Sequence, residues 1–314
     1  MSTRSVIKDS EGLIWIDLIN PSREELAEVA RQFGLHPSSV DDCLDPSHLP
    51  KVERIDNHWF FILRVFDEHS GLESDTVQEL TRKVALFLGP QHIISIHRTE
   101  LSFINGLIES LGAKGALGST VELKRPLQLQ QLFFELISRG LNTFNPPLDL
   151  GLEQLSKMEN QVFLQQTSST ELIRSAYFLK SRVFIIKRMV RMISDGWTKV
   201  SFATQEATPW MQEIRDTTED LLFYCEDLLE TTHQLMNLHL SLQSHRTNEV
   251  MRILTVFSVI FLPLNLIAGI YGMNFEFMPE LKSAYGYPLT LILMAVVAGS
   301  VAVWIVKKGW LGER

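Results

Sequence analysis

Seven residues between positions 248 and 269 follow one another at alternating spacings of three and four, which places them on one face of an α-helix. They mix amide, hydroxyl and small residues with apolar ones: Asn248, Met251, Thr255, Ser258, Leu262, Asn265 and Gly269. Oxygen-bearing groups on one face could line a water-filled path for a cation, because polar residues in apolar helices normally point at protein or water. The same face also suits close helix packing, with the amides bonding a neighbouring helix. The spacing alone leaves both interpretations open.

The elements that must position this face are two uncharged apolar runs near the C-terminus, 253–271 and 288–306. Each has about 19 residues and spans roughly 28 Å at about 1.5 Å per residue, close to a hydrocarbon core of ~30 Å. We therefore predict two transmembrane helices joined by a loop over 272–287. Two helices in one chain are too few to enclose a pore, so a pore requires several copies of the chain.

The charges that flank this hairpin predict its orientation. The basic residues lie at its outer ends: Arg246, Arg252, Lys307, Lys308 and Arg314. The loop holds Glu276 and Glu280 against a single Lys282. Because Lys and Arg near membrane helices favour the cytoplasmic side, we predict that both termini are cytoplasmic and that the loop faces outward.

The remainder of the chain is predicted to be a cytoplasmic body with two kinds of structure. Strand-forming stretches at 13–18, 58–66, 83–88 and 92–97 alternate with helix signals at 24–33 and after His36-Pro37, which indicates an α/β domain. Beyond it only helices are predicted, at 127–145, 152–166, 171–193 and from Pro209 to Tyr271. The predicted domain plan is 1–125 (α/β), 126–207 (helical hairpin), 208–271 (stalk and first transmembrane helix), 272–287 (loop), 288–306 (second transmembrane helix) and 307–314 (basic tail).

The last long helix carries a seven-residue repeat of apolar residues. Its members are Ile214, Leu221, Leu228, Leu235 and Leu242. Such a repeat is typical of helices that pack along one seam. The partners are either helices of the same subunit or identical stalks around a symmetry axis, and periodicity does not separate the two.

Composition excludes several classes of protein. The net charge of −8 argues against nucleic-acid binding, since there is no excess of basic residues to contact phosphates, and it suits a body that meets cations. The two cysteines, Cys43 and Cys225, are far apart, which indicates neither a disulfide framework nor a metal site of paired cysteines. The N-terminus lacks an apolar signal segment, so the first apolar run is expected to direct the chain to the membrane.

The loop between the apolar runs carries a recognisable signature. Tyr271-Gly272-Met273-Asn274, with residues 275–281 after it, resembles the signature of the CorA family of magnesium transporters. Family-like stretches extend through most of the chain: 15–18, 33–37, 50–53, 247–251, 261–264, 286–288 and 307–311. The resemblance therefore covers nearly all of the chain.

This resemblance implies an α+β fold: a cytoplasmic N-terminal α/β domain, and a long stalk helix that continues into the first of two C-terminal transmembrane helices. It further implies a funnel-shaped homopentamer in the inner membrane. Its implied activity is influx of divalent cations, chiefly Mg²⁺ and also Co²⁺ and Ni²⁺. Mg²⁺ would be both substrate and regulatory ligand, with no other cofactor.

The resemblance also assigns roles to residues. Gly272, Met273 and Asn274 would form the outer mouth, where neutral amide oxygens bind a hydrated Mg²⁺ and Gly272 is expected to permit a bend at the helix end. Glu276 and Glu280 would gather cations near it. The pore-lining and gating residues would be Asn248, Met251, Leu254, Thr255, Ser258, Leu262, Asn265 and Gly269, where apolar rings could block ions by excluding water.

A regulatory metal site is implied in the cytoplasmic body. Asp42, with Asp41 beside it, matches one ligand of this site, and Glu213 stands where the family commonly has Asp. Bound Mg²⁺ would screen these carboxylates and hold the pore shut, and its loss would let like charges push subunits apart.

Three alternative functions are a zinc transporter, a membrane-anchored hydrolase and a membrane scaffold. A zinc transporter of the related ZntB type is the nearest, although Met278-Pro279-Glu280 after the core motif favours Mg²⁺. A membrane-anchored hydrolase would need a nucleophile elbow, a metalloprotease motif or a phosphate-binding loop, and none occurs in the sequence. A membrane scaffold that conducts no ions differs only in the absence of ion flux.

Overall fold

The computed structural model describes residues 3–112, 118–123, 128–164, 169–204 (backbone alone for 200–204), 209–274, 278–279, 283 and 285–310. These residues form two compact units, whose boundaries are Met1–Met236 and Asn237–Arg314. The first unit contains the mixed α/β part and the following helices, and the second contains the two apolar segments.

The N-terminal part is built on one seven-stranded mixed sheet in the order β3-β4-β5-β6-β2-β1-β7. Its strands are β1 (Thr3–Lys8), β2 (Ile14–Ile19), β3 (Lys51–Ile55), β4 (His58–Phe66), β5 (Thr81–Leu88), β6 (His92–His97) and β7 (Thr120–Glu122). The β2–β6 and β1–β7 pairs are parallel and the other pairs are antiparallel. The predicted strands at 13–18, 58–66, 83–88 and 92–97 are confirmed, whereas β1, β3 and β7 were not predicted.

Four short helices accompany the sheet: α1 (Arg23–Phe33), α2 (Pro37–Leu44), α3 (Val77–Leu80) and α4 (Ser102–Ser110). A capping box starts α1, since the Ser22 hydroxyl accepts from the Glu25 N–H and the Glu25 carboxylate accepts from the Ser22 N–H. Gly34, at a φ of 69°, ends it in the left-handed region. These local signals predict α1. For α2 the corresponding signal is Pro37 in its first turn, after the N-cap residue His36.

Apolar side chains cover both faces of the sheet. On one face Leu26 and Val29 of α1 pack with Phe60 and Phe87, whose rings stack at 4.6 Å between centroids. On the other face Phe61 contacts Phe133 with ring centroids 4.9 Å apart. Burial of such side chains contributes about 1.5–3 kcal/mol each, so this two-sided core holds the strands that carry the site residues described below.

The helices beyond the sheet are α5 (Leu129–Asn142), α6 (Asn145–Leu164) and α7 (Ser169–Thr204). The predicted gap between 145 and 152 is wrong, because Pro146 and Pro147 lie in the first turn of α6, where no N–H is required. The predicted end of α7 at Ile193 is also wrong. Gly196 lies inside α7, and a Cβ built there would come within 2.6 Å of Val52 Cγ2. The glycine lets the helix approach β3 closely and does not end it.

The last two helices are α8 (Pro209–Tyr271) and α9 (Gly286–Lys307). The prediction of one unbroken helix from Pro209 to Tyr271 is confirmed, and Pro263 lies within it. Both helices are long and apolar enough to cross a membrane, with mean hydropathies of 2.3 and 2.5 in their most apolar stretches.

The heptad residues of α8 are buried within a single chain. Ile214, Leu221, Leu228 and Leu235 are each less than 5% exposed, and Leu242 is half-buried. A Cβ added to Gly151 of α6 would lie 3.4 Å from Leu228 and 3.2 Å from Leu179 of α7, so these helices pack closely. The repeat therefore serves packing inside the subunit over its buried length.

Candidate functional site

The C-terminal end of α8 forms the first part of the candidate mouth. The Gly272 N–H donates to the Ala268 carbonyl at 2.9 Å, and the Met273 N–H donates to the Ile270 carbonyl at 3.2 Å. Gly272 ends the helix without a positive φ. A Cβ at Gly272 would lie 3.1 Å from the Ala268 carbonyl oxygen. The glycine thus supplies room for a tight last turn, and Met273 and Asn274 follow it as exposed residues.

All predicted pore-lining residues of α8 are exposed in the single chain: Asn248, Met251, Leu254, Thr255, Ser258, Leu262, Asn265 and Gly269. Leu262 is 74% exposed, an unusual value for leucine in a folded protein. Val256, Val259 and Ile260 are half-buried, whereas Ile253, Phe257 and Phe261 are exposed like the stripe. The predicted stripe is therefore a face of α8 that its own chain leaves uncovered.

The two hydroxyls on this face are oriented by the helix itself. Thr255 Oγ1 donates to the Met251 carbonyl at 2.8 Å, and Ser258 Oγ donates to the Leu254 carbonyl at 2.9 Å. Each hydroxyl thus uses its proton within the helix and keeps oxygen lone pairs for an outside donor. The waters around a hydrated Mg²⁺ are such donors, so these oxygens can bind the ion through its hydration shell.

The predicted sensor residue Asp42 lies on α2 and is already engaged by a cation of its own chain. Lys51 Nζ lies 2.6 Å from Asp42 Oδ2 and 2.9 Å from Glu53 Oε2. His48 Nε2 is 3.5 Å from Asp42 Oδ1, while His48 Nδ1 is 2.9 Å from the Leu49 carbonyl and would donate to it when His48 is neutral. Lys51 therefore supplies the short hydrogen bond to this carboxylate.

The backbone that presents Asp42 is held by a second cation. Lys83 Nζ donates to the carbonyls of Asp42 and Cys43, each at 2.7 Å, and also to that of Asp45. Positive charge at a helix C-terminus is favourable, because the last carbonyls lack helical partners. Burial lowers the pKa of Lys83 to about 8, against the opposing effect of nearby Cys43 and Asp45.

The other predicted sensor residue, Glu213, is exposed on α8. It lines a cleft of about 380 Å³ that also contains Glu135 and Arg139 of α5. Arg139 and Glu135 pair with each other at 2.7 Å. Among the described residues no group of three or more His, Cys, Asp or Glu side chains is arranged to hold a metal, so one chain does not assemble Asp42 and Glu213 into a complete site.

Some predicted residues lie outside the described ranges, and some important ones were not predicted. Glu276 and Glu280, the predicted cation-gathering acids, belong to the first group. Lys51 and Lys83 belong to the second. The alternation of Lys51 and Glu53 along a strand could have indicated a shared face with Asp42. No local signal could have indicated that Lys83 reaches the end of α2, about forty positions earlier in the chain.

Comparison with known proteins gives a consistent result. The model of the family described as CorA-like Mg²⁺ transporter protein matches residues 10–308. The cobalt/magnesium transport protein CorA of Thermotoga maritima is 28% identical over 311 residues, which cover 97% of this chain and 85% of that protein. The magnesium transport protein CorA of Escherichia coli K12 is 26% identical, covering 98% and 96%.

Solved structures show the same fold at lower identity. The complete structure of the CorA magnesium transporter from Methanocaldococcus jannaschii superposes with a TM-score of 0.78 at 20% identity, covering 99% of both chains. The ZntB cytoplasmic domain from Vibrio parahaemolyticus gives a TM-score of 0.56 at 13% identity, covering 76% of this chain and 91% of that one. With the family model spanning residues 10–308, the chain belongs to the CorA family of divalent cation transporters.

Proposed function

We propose that this chain assembles into a homopentameric channel of the inner membrane that admits chiefly Mg²⁺, with Co²⁺ and Ni²⁺ as further substrates. Both termini are cytoplasmic, α8 and α9 span the membrane, and the segment between them faces outward. The observation that carries the proposal is the uncovered stripe of α8, from Asn248 to Gly269, which ends at Gly272-Met273-Asn274. The choice of ions is supported by the names of the relatives, which describe cobalt and magnesium transport.

The stripe supplies two kinds of ring when several copies surround an axis. Thr255 and Ser258 offer hydroxyl oxygens to a hydrated ion, because their protons are used within the helix. Asn265 offers an amide oxygen. Met251, Leu254 and Leu262 offer apolar constrictions, which close a pore when water leaves it. Along the path, an ion therefore passes rings of polar residues and rings of apolar residues. A small change in pore width decides whether water fills the apolar rings, and so whether the pore conducts.

The sensor is formed by Asp42 of one subunit and Glu213 of a neighbour. Both side chains lie on the cytoplasmic unit, and Glu213 is exposed where a second chain could reach it. Mg²⁺ prefers six oxygen ligands, so two carboxylates with bound waters suit it. With the metal bound the carboxylates are neutralised and the pore stays shut. When cytoplasmic Mg²⁺ falls, their repulsion separates the subunits.

The sensor is tested by Asp42→Ala and Glu213→Ala in full-length protein reconstituted into vesicles. We expect each variant to keep conducting at internal Mg²⁺ levels that close the wild type, because one ligand of the closing metal is missing. Asp216→Ala, an exposed acid one turn from Glu213, is the matched control and should close normally. Normal closure of both sensor variants would refute the assignment.

The second candidate is a Zn²⁺ transporter of the ZntB type. It is supported by the likeness in fold to the ZntB cytoplasmic domain from Vibrio parahaemolyticus. The two candidates differ in the ion that they move. Uptake of Mg²⁺, Co²⁺, Ni²⁺ and Zn²⁺ into vesicles, with and without a proton gradient, separates them. We expect Mg²⁺ flux that needs no gradient. Zn²⁺ flux in preference to Mg²⁺ would favour the second candidate and contradict the first.

A further inference from the structure

The ion pair between Lys51 and Asp42 places a positive charge where the proposed sensor metal would bind. Lys51 lies at the start of β3, and its ammonium bridges Asp42 Oδ2 at 2.6 Å and Glu53 Oε2 at 2.9 Å. One cation between two carboxylates is the arrangement that a divalent metal would also adopt. In the single chain the ammonium group supplies the positive charge next to both carboxylates.

This pair is held in a defined geometry. The side chains of Asp42 and Lys51 are only 27% and 22% exposed, and the Lys51 ammonium lies 5.3 Å from the centre of the Phe60 ring. Contact with an aromatic face stabilises an ammonium group further. Screening by water is weaker for such a pair than for an ordinary surface pair, so its effect on metal binding is measurable.

The carboxylate has little freedom to leave the ammonium by a backbone movement. Lys83 donates to the Asp42 and Cys43 carbonyls, and Arg98 donates to the Leu44 carbonyl at 2.7 Å. These bonds fix the end of α2 on the sheet. Any exchange of partner at Asp42 therefore takes place at the side chains and not by movement of the backbone.

The ammonium stays charged throughout the pH range of the cytoplasm. The ordinary pKa of a lysine side chain is about 10.4, well above that range. A protonated Lys51 repels a divalent cation at the same carboxylate. Binding of the metal and retention of the pair therefore oppose each other, through charge repulsion and through direct competition for Asp42 Oδ2.

We propose that Lys51 is a built-in competitor of the sensor metal, and that it sets the cytoplasmic Mg²⁺ concentration at which the channel closes. The inference rests on the proposed sensor role of Asp42. The apparent affinity for the metal is the intrinsic affinity reduced by the fraction of chains in which Asp42 is free of Lys51. Without Lys51, less Mg²⁺ suffices to close the pore.

The test is the half-closing internal Mg²⁺ concentration of full-length Lys51→Met in vesicles. We expect it to fall about three- to tenfold, because a partly buried pair is removed while the stem that covers Phe60 is kept. Lys51→Gln should shift it in the same direction, and Lys51→Arg, which keeps the charge, should leave it within about twofold. A purely structural role of Lys51 predicts the opposite sign, since a loosened α2 would bind metal more weakly.

The matched control is Arg23→Met, which removes the ion pair of the neighbouring carboxylate, Asp41, at 3.1 Å. The side chains of Arg23 and Asp41 are both more than 60% exposed, so we expect Arg23→Met to leave the half-closing Mg²⁺ concentration unchanged. A shift equal to that of Lys51→Met would overturn the proposal by showing a general effect of charge.

The Asp42→Ala variant distinguishes a failure of the competitor role of Lys51 from a failure of the sensor role of Asp42. If Asp42→Ala abolishes closure while Lys51→Met leaves the half-closing concentration unchanged or higher, the competitor role is wrong and the sensor role stands. If Asp42→Ala closes normally, the sensor role is wrong and the inference fails with it. Mg²⁺ titration of the purified proteins in detergent, followed by tryptophan fluorescence, gives the same comparison where a variant conducts poorly.

Discussion

At the scale of single residues, the chemistry proposed for the mouth depends on Asn274 being neutral. It is the exposed residue that follows the last turn of α8, three positions after Tyr271. Mg²⁺ releases its waters reluctantly, so an amide oxygen can bind the hydrated ion without stripping it. A carboxylate there would bind more tightly and slow release, whereas conduction requires that an ion can leave the site again.

The first prediction is that Asn274→Ala abolishes Mg²⁺ flux, because the methyl group offers no oxygen to the hydrated ion. The measurement is Mg²⁺ entry into vesicles that contain an ion-sensitive dye. Ser283→Ala changes another exposed polar residue between α8 and α9 and should retain flux. Full flux in Asn274→Ala would refute the assignment of this residue to the mouth.

A buried histidine gives the sheet a pH dependence of defined sign. His97 on β6 is 3% exposed, and its ring nitrogens face two oxygens, Asp17 Oδ1 at 3.0 Å and the Thr99 carbonyl at 2.6 Å. A carboxylate and a carbonyl both accept, so the charged ring, in which both nitrogens donate, is the form that these two partners favour. Burial lowers the pKa of His97, but the hydrogen bond and charge of Asp17 outweigh it and raise the pKa above its usual value.

The second prediction follows from that raised pKa. The stabilisation from His97 is complete below the unfolded-state pKa of about 6.5 and is lost as pH rises through the folded-state pKa. Thermal unfolding of the full chain should therefore show a loss of stability above about pH 6.5 that His97→Gln lacks. His92, whose pKa burial lowers to about 4, acts in a separate window below 6.5. Identical pH profiles for wild type and His97→Gln above pH 6.5 would contradict the account.

At the scale of elements, α7 and β3 meet where a glycine removes the side chain. Gly196 lies in α7 with Val52 of β3 against it, and a Cβ would approach Val52 Cγ2 to 2.6 Å. Trp197, the next residue, is buried and donates from Nε1 to the Met211 carbonyl at 3.3 Å. One short stretch of α7 thus contacts both the edge of the sheet and the start of α8.

The third prediction is that Gly196→Ala lowers the free energy of unfolding by about 1–3 kcal/mol, because the added methyl group overpacks the contact with Val52. Gly106→Ala in α4 is the control. Its Cβ would meet only Arg139 Nη1, at 3.8 Å, so the gain in helix propensity should leave stability equal or up to about 1 kcal/mol higher. Denaturant unfolding of both variants checks the difference, and equal stability would show that α7 and β3 can move apart freely.

The limits of sequence prediction are visible in the same elements. Strand β6 and helix α8 carry strong local signals, a buried apolar run and a long unbroken helical pattern, and both were predicted with their ends. Strand β1 was missed because its sequence, Thr-Arg-Ser-Val-Ile-Lys, does not alternate polar and apolar residues and places the polar Ser5 at a buried position beside Ile7. Contacts made by Lys83 and Gly196 depend on residues far away in sequence, so no local pattern could reveal them.

At the scale of the whole molecule, two units are described, and the uncovered stripe belongs to the second. A single chain leaves Leu262, Leu254 and Met251 largely exposed, together with the hydroxyls of Thr255 and Ser258. A lipid environment alone would explain the apolar members of this face. Surrounding an aqueous axis with several copies also accounts for the exposed amide of Asn265, since an intramembrane polar group is costly without water or protein partners.

The fourth prediction tests that central claim, that the stripe of α8 lines the ion path. Single cysteines are placed along α8 in a chain whose Cys43 and Cys225 are replaced, and Mg²⁺ flux into vesicles is measured before and after a charged, water-soluble thiol reagent. We predict that the reagent blocks flux at positions 255, 258 and 265 and leaves it intact at 253, 257 and 261. Block at Phe257 and Phe261 with none at Thr255 and Ser258, in variants that conduct before treatment, would contradict the account.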